Sequence, residues 1–185
     1  MKVPNRRLLA FFATAAFAFA LCALPQPAFA AVIPLDSRIA VAVSGGYWVD
    51  GDVNIAVADK FSRFAESALR RYLRAAGFKN ISATSLTRKQ RAILEGGGAA
   101  SLARSQKVQF LLCGNITEDG ADLNSFGTFT ASVSMTLQIV SASSGEYVFD
   151  GISSAKAVGG TREEATRKAV EKAARDIAAQ IAGDF

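Results

Sequence analysis

Between Phe129 and Ile139 every second residue is apolar: Phe129, Ala131, Val133, Met135, Leu137 and Ile139 alternate with Thr130, Ser132, Ser134, Thr136 and Gln138. A side-chain period of two sorts these sets onto opposite faces of an extended strand, whereas a helix would scatter them around its circumference. The wider segment from Lys107 to Val158 reads as three extended runs broken by two turns. Glu118, Asp119 and Asp122 form an acidic turn after the first run, and Ser143-Ser144-Gly145 is a tight reversal into the third. The expectation is an antiparallel meander, around which the remaining elements must pack.

Met1 to Ala30 reads as a signal peptide outside the fold. Lys2, Arg6 and Arg7 precede an apolar run from Leu8 to Leu24, Pro25 and Pro27 break it, and Ala28-Phe29-Ala30 offers the small residues a signal peptidase requires. The run is at the short end of the length a spanning helix needs, so no stable membrane span is expected after processing. Cys22 stands where a lipidated cysteine would, but Leu21 occupies a position usually held by a small residue. Soluble export to the periplasm is the primary reading, with outer-membrane association through lipidation as the alternative.

Losing that leader removes three of the 21 Lys+Arg and none of the 16 Asp+Glu, so residues 31–185 carry a net charge of +2 rather than +5. Acidic residues are interspersed among the basic ones, and the aromatics fall at core spacing, so neither a basic stripe nor a stacking platform for nucleic acid is present. Residues 31–185 suit one domain with a real core. Cys113 alone survives processing, which precludes an intramolecular disulfide.

Arg38 to Ser44 is apolar on both faces, as a strand covered by helices above and below would be. Gly45-Gly46 ends it, and Tyr47 to Asp52 follows as a loop. Phe61, Phe64, Ala65, Ala68, Leu69, Tyr72, Leu73 and Ala76 recur at three- and four-residue steps within a helix from Asp59 to Ala76 that stops at Gly77. Arg63, Glu66, Arg70, Arg71 and Arg74 lie off that stripe, with Glu66 positioned to pair with Arg70. Lys79 to Ala83 reads as a short strand, Thr87 to Leu94 and Ala99 to Ser105 as short helices, and Val108 to Ile116 as a second central strand. Thr161 and Glu164 form a capping box for a helix from Arg162 to Ile181, whose apolar stripe is Ala165, Ala169, Ala173, Ile177 and Ile181. The order β-α-β-α-β-β-β-α implies an α/β (α+β) fold: a mixed five-stranded sheet, helices on both faces, and the antiparallel meander at one edge. Because crossovers are right-handed, placing the second strand on one side of the first and the third on the other puts the two helices on opposite faces. The Ser/Thr face of the fourth strand implies that helix coverage thins toward the meander edge.

The chain contains no histidine. Ser-His and Cys-His nucleophile pairs and histidine-bearing zinc sites are therefore excluded. Cys113, in a central strand, reads as a small buried apolar residue rather than a reactive thiol. The acidic turn lacks the ligand ladder of a dedicated calcium loop. Gly45-Gly46 and Gly96-Gly97-Gly98 lack phosphate-loop and dinucleotide spacing, and read as turns. Asn80-Ile81-Ser82 and Asn115-Ile116-Thr117 match a short sequon. The expectation is no cofactor, no metal and no catalysis. The candidate partner-binding residues are Tyr47, Trp48 and Asp50, just past the carboxyl end of a central strand, where open α/β sheets place ligands. Two readings stay open for Trp48: an exposed anchor, or a side chain folded back over the core.

Ala100, Leu102, Ala103 and Arg104, then Val108-Gln109-Phe110-Leu111-Leu112 and Gly114, resemble the "alanine, leucine-alanine-arginine, then D-Y/F-L-L-x-G" signature of the TolB N-terminal-like superfamily. That group includes CsgG, the middle domain of FlgT, and LpoB. The strand Val133 to Val140 running into Ser144-Gly145-Glu146 is similar to its hairpin, and Arg38 to Val43 to its opening strand. Lys107 replaces the usual glycine and Gln109 the usual aspartate. The resemblance implies a mixed sheet flanked by helices and a non-catalytic role in envelope assembly through protein contacts. A FlgT-like flagellar or a secretion-related module is the first expectation, with homo-oligomerisation open. The alternatives are an LpoB-like regulator of a peptidoglycan synthase and, from another class, a small-ligand receptor or hydrolase.

Overall fold

The structure of the chain, a computed structural model, describes residues 33–49, 52–53, 55–84 and 86–183, with side chains described except at 46–60 and 95. The expected leader, Asp50 and Cys22 lie outside the described residues. The elements in order are β1 (Arg38–Val49), β2 (Asp52–Val53), α1 (Ile55–Ala75), β3 (Asn80–Ala83), α2 (Arg88–Glu95), α3 (Ala99–Ser105), β4 (Phe110–Leu123), β5 (Phe129–Ser141), β6 (Tyr147–Gly159) and α4 (Arg162–Ala182).

β1 pairs in parallel with β3 on one side, from Arg38 to Val41, and with β4 on the other, from Ile39 to Tyr47. β4, β5 and β6 continue the sheet as the antiparallel meander. The expected five-stranded mixed sheet is therefore present, and the two-residue β2 adds a sixth strand by pairing antiparallel with Trp48 and Val49.

Strand alternation divides the core in two. Ile39, Val41, Leu112, Val133, Met135 and Leu137 point to one face and are covered by α1 and α4. Ala40, Ala42, Leu111, Cys113 and Val140 point to the other, where Leu102 and Ala103 of α3 and Leu94 of α2 meet them. α1 buries Phe61, Leu69 and Leu73. Each contributes about 1.5–3 kcal/mol relative to exposure, which fixes the helix against the sheet. α4 lies against β5, β6 and α1, and its buried set is chiefly Ala165, Ala169, Ala173, Ala174 and Ala178 with Ile177 and Val170. Small side chains allow its backbone to approach closely, and at Gly159 an added Cβ would lie 2.5 Å from the Ala165 nitrogen. Thr161 Oγ1 accepts from Glu164 N–H at 3.2 Å, while the Glu164 carboxylate reaches past the cap to Gly160 N–H at 2.9 Å.

Two turn assignments made from glycine and acid content are corrected. β1 does not end at Gly45-Gly46, because β4 supplies parallel partners out to Tyr47, opposite Glu118. An available ladder outweighs glycine's weak strand preference. Glu118, Asp119 and Asp122 are not a turn; they lie within β4, where the register shifts between Glu118 and Gly120. The reversal comes later, at Asn124, whose side-chain oxygen accepts from Phe126 N–H at 3.0 Å and Thr128 N–H at 3.1 Å.

Candidate functional site

α1 leaves the carboxyl end of β1 for one face of the sheet, and α2 leaves the carboxyl end of β3 for the other. Between adjacent parallel strands whose connections diverge in this way, a crevice opens. It is present here as a cavity of about 470 Å³ floored by Val43 and Ser44 of β1 and by Ala83 and Thr84 at the end of β3. One wall is α1, with Ser62, Arg63, Glu66 and Arg70; the other is α2, with Arg91 and Leu94.

The Glu66 carboxylate turns inward and accepts from Val43 N–H at 3.0 Å, tying α1 to β1. Burial raises its carboxyl above the ordinary carboxylate range, against the opposing pull of that N–H and then of Arg70, Arg91 and Arg63. The expected Glu66–Arg70 partnership takes another form: Arg70 Nε donates to the Glu66 carbonyl at 3.3 Å. Ser44 Oγ donates to the Gly114 carbonyl at 3.0 Å, joining the crevice floor to β4.

A second polar feature lies further along β4. Glu118 is 4% exposed; its Oε1 accepts from Thr166 Oγ1 at 3.0 Å and faces Arg162 Nε at 3.5 Å, both on α4. Its Oε2 is buried without a hydrogen-bond partner. Asp119, on the opposite face, accepts from Ser134 Oγ, which is 3.1 Å from Ser154 Oγ. Thr130, Ser132, Ser134, Thr136 and Gln138 are all half-buried, so helix coverage does thin toward the meander edge.

β6, thirteen residues long, is the terminal strand of the sheet. Tyr147, Ile152 and Val158 on it are exposed, Ile152 by 66%, and Phe126 at the β4–β5 turn is exposed by 88%.

Of the residues singled out from the sequence, Tyr47 and Trp48 fall in β1 rather than in a loop, so the expected loop is corrected to a strand end. Their side chains, and all of Asp50, lie outside the described residues. Cys113 is buried, and that burial pushes its thiol up to about 11. Gly96-Gly97-Gly98 joins α2 to α3, with Gly97 at φ +80°. Asn80 and Asn115 are exposed, and Asn80 Nδ2 donates to the Asp36 carbonyl at 2.7 Å. Sequence reasoning missed the crevice because Arg63, Glu66 and Arg70 were read only as residues off the apolar stripe, with Glu66 paired to Arg70. Their spacing places them off the apolar stripe, and the crevice borders the same side. Among the described residues no His/Cys/Asp/Glu cluster suits a metal ion, and no helix is long and apolar enough to cross a membrane.

Residues 58–182 match the model of a family described as "TP0693-like lipoprotein, C-terminal domain". No curated protein sequence matches the chain. Among solved structures, the fold is similar to that of a PelC dodecamer from Paraburkholderia phytofirmans, with a TM-score of 0.55 and 17% identity over 81% of this chain and 90% of that one. It is similar also to hypothetical protein CT253 from Chlamydia trachomatis, with a TM-score of 0.51 and 11% identity over 80% and 96%. The LpoB C-terminal domain from Salmonella enterica matches at a TM-score of only 0.35 and 16% identity over 66% and 84%. At these identities the similarity concerns the fold alone.

Proposed function

We propose an envelope-assembly role for this chain, which belongs to the TP0693-like lipoprotein C-terminal domain family. It is an exported, non-catalytic interaction module whose contact surface is the open edge of the sheet. The family description favours lipidation, so Cys22 becomes the attachment point and the outer membrane the anchorage, in place of the soluble export preferred from the sequence.

The observation that carries the assembly role is β6. A terminal strand of thirteen residues bearing exposed Tyr147, Ile152 and Val158 presents an edge with no neighbouring strand together with apolar area, a combination that invites pairing with another chain; Gln180 and Lys168 of α4 donate to its Ile152 and Val158 carbonyls. Further copies of this chain are the first expected partner, in keeping with the PelC structure, which is of a dodecamer. Kinship with the TolB N-terminal-like superfamily is supported by two backbone conformations at signature positions. Gly114 has φ +153°, and Lys107, where that group has glycine, has φ +55°. The flagellar and synthase-regulator readings draw no support from the relatives reported above.

The test is the double variant Ile152→Lys/Val158→Lys. Light scattering and native mass spectrometry are expected to show an oligomer for the wild type and a protomer for the variant, with thermal stability retained. A wild-type chain that stays monomeric and cross-links to no envelope protein, or a variant that still assembles, refutes the reading. Cys22→Ser is expected to move the protein from the membrane fraction to the soluble periplasm.

A further inference from the structure

At the other end of β1 from the crevice, where the chain enters the fold, lies a groove of about 600 Å³. Three segments bring basic side chains to it: Arg38 at the start of β1, Arg104 in the last turn of α3, and Lys107 in the link to β4. All three residues are exposed. Arg104 is held in place by donating from Nη1 to the Ala142 carbonyl at 2.9 Å. The side chains of Arg38 and Lys107 make no hydrogen bond or ion pair among the described residues. Asp36 and Glu146, the acidic residues of the flanking segments, do not line the groove and pair with neither of them. Lys107 also holds its backbone at φ +55°, a conformation that costs an L-residue and that glycine adopts freely. A position that disfavours every side chain thus places an ammonium group at a basic groove, and strain of this kind gathers where a side chain serves binding.

Pro34 lines the same groove, so it sits where the polypeptide leads back toward Cys22. Only residues 23–32 separate Cys22 from Ile33, a reach of at most about 40 Å even fully extended. None of residues 1–32 is acidic, so that segment brings no carboxylate to the groove. We infer that this end of the sheet rests on the membrane and that the groove takes the headgroups of anionic lipids, a reading that rests on Cys22 being the attachment point. Each basic side chain held near an anionic leaflet strengthens the association by roughly fivefold. The anchor supplies the local concentration that three charges alone do not. Leu35, 50% exposed next to Pro34, adds an apolar contact at the same end.

The wild-type chain, purified from the membrane fraction, is reconstituted into vesicles of phosphatidylglycerol in phosphatidylcholine and of phosphatidylcholine alone. Acetylation of its lysines by a water-soluble reagent is followed by mass spectrometry. Intact mass reports separately whether Cys22 carries acyl chains. A chain without them is held on the same vesicles by an amino-terminal histidine tag and nickel-chelating lipid, so failure of the anchorage and failure of the groove are told apart. Acetylation of Lys107 is expected to slow about fivefold or more on the phosphatidylglycerol vesicles and to recover in high salt. Lys156 pairs with Ser132 at the level of Gly120, about 33 Å along the sheet from Phe110, and is expected to react equally on both. Arg38→Gln, at an exposed position without side-chain partners, is expected to restore most of the Lys107 reactivity on phosphatidylglycerol. Arg167→Gln, on α4, is expected to leave the protection unchanged. Equal Lys107 reactivity on the two vesicle types, protection of Lys107 and Lys156 alike, or protection that Arg38→Gln does not relieve, would overturn the inference.

Discussion

Gly114→Ala should test the geometry of the sheet most sharply. Gly114 lies in the middle of β4, opposite Val43 of β1 and Leu137 of β5. Its φ is +153°, and a Cβ built on it falls well inside contact with the Thr136 carbonyl oxygen, 2.9 Å from Leu137 Cα and 3.0 Å from Leu137 Cδ2. The obstructing atoms are mostly backbone, so no rotamer change relieves them; β4 and β5 must part or the strand must untwist. Overpacking of this kind costs about 1–3 kcal/mol, and forcing a side chain into a conformation L-residues rarely adopt adds about 1–3 kcal/mol. A combined loss of about 4 kcal/mol lowers the melting temperature of a domain this size by roughly 8 °C or more. The comparison is Gly120→Ala in the same strand, where the nearest atom to an added Cβ is Asp122 Oδ2 at 3.7 Å; its effect should stay within about 0.5 kcal/mol. Thermal melts followed by circular dichroism, with denaturant titration of the same samples, measure both. Equal melting temperatures for the two variants would refute the close-approach argument.

Lys107 holds a left-handed conformation, φ +55°, at the exit of α3; Lys107→Gly removes that cost and should stabilise the fold by about 0.5–1 kcal/mol after glycine's own entropy penalty, read from denaturant midpoints. Glu66 binds its proton more tightly in the folded state than unfolded, because burial raises its carboxyl. Its contribution to stability is therefore greatest below its ordinary value of 4.5 and is lost as pH rises through the raised one. The melting-temperature difference between wild type and Glu66→Gln, followed from pH 4 upward, should move against the wild type as pH rises, and a flat difference would contradict the placement of Glu66. With its thiol at about 11, Cys113 at pH 8 is thiolate in only about one molecule in a thousand. Mass spectrometry should find Cys113 unalkylated by iodoacetamide in the native protein and labelled after denaturation.

Features written as local periodicity were legible in advance. The alternation from Phe129 to Ile139 appears as β5 with its odd-numbered residues buried from Ala131 onward. The stripe from Phe61 to Ala76 appears along α1, and Gly77, read as a left-handed stop, has φ +99°. Thr87, where the second helix was expected to begin, caps α2 with a full capping box to Gln90. The errors cluster where a residue's preference competes with an inter-strand partner. Gly45 and Gly46 read as the end of a strand and Glu118, Asp119 and Asp122 as a turn, yet all five lie within strands. β1 and β4 lie far apart in the chain, and only their parallel pairing, from Ile39 opposite Phe110 to Tyr47 opposite Glu118, makes continued strand the favoured state.

The sequence by itself determined the secondary-structure order, which faces are apolar, and the absence of histidine chemistry, because these follow from composition and from spacings of two to four residues. Tertiary structure alone decided that Arg63, Arg70 and Arg91 share a cavity with Glu66 and that Glu118 is drawn beneath α4. Each is a meeting of segments tens of residues apart. No periodic signal encodes such a meeting, since it is set by which strand lies beside which and by the face from which each connection departs.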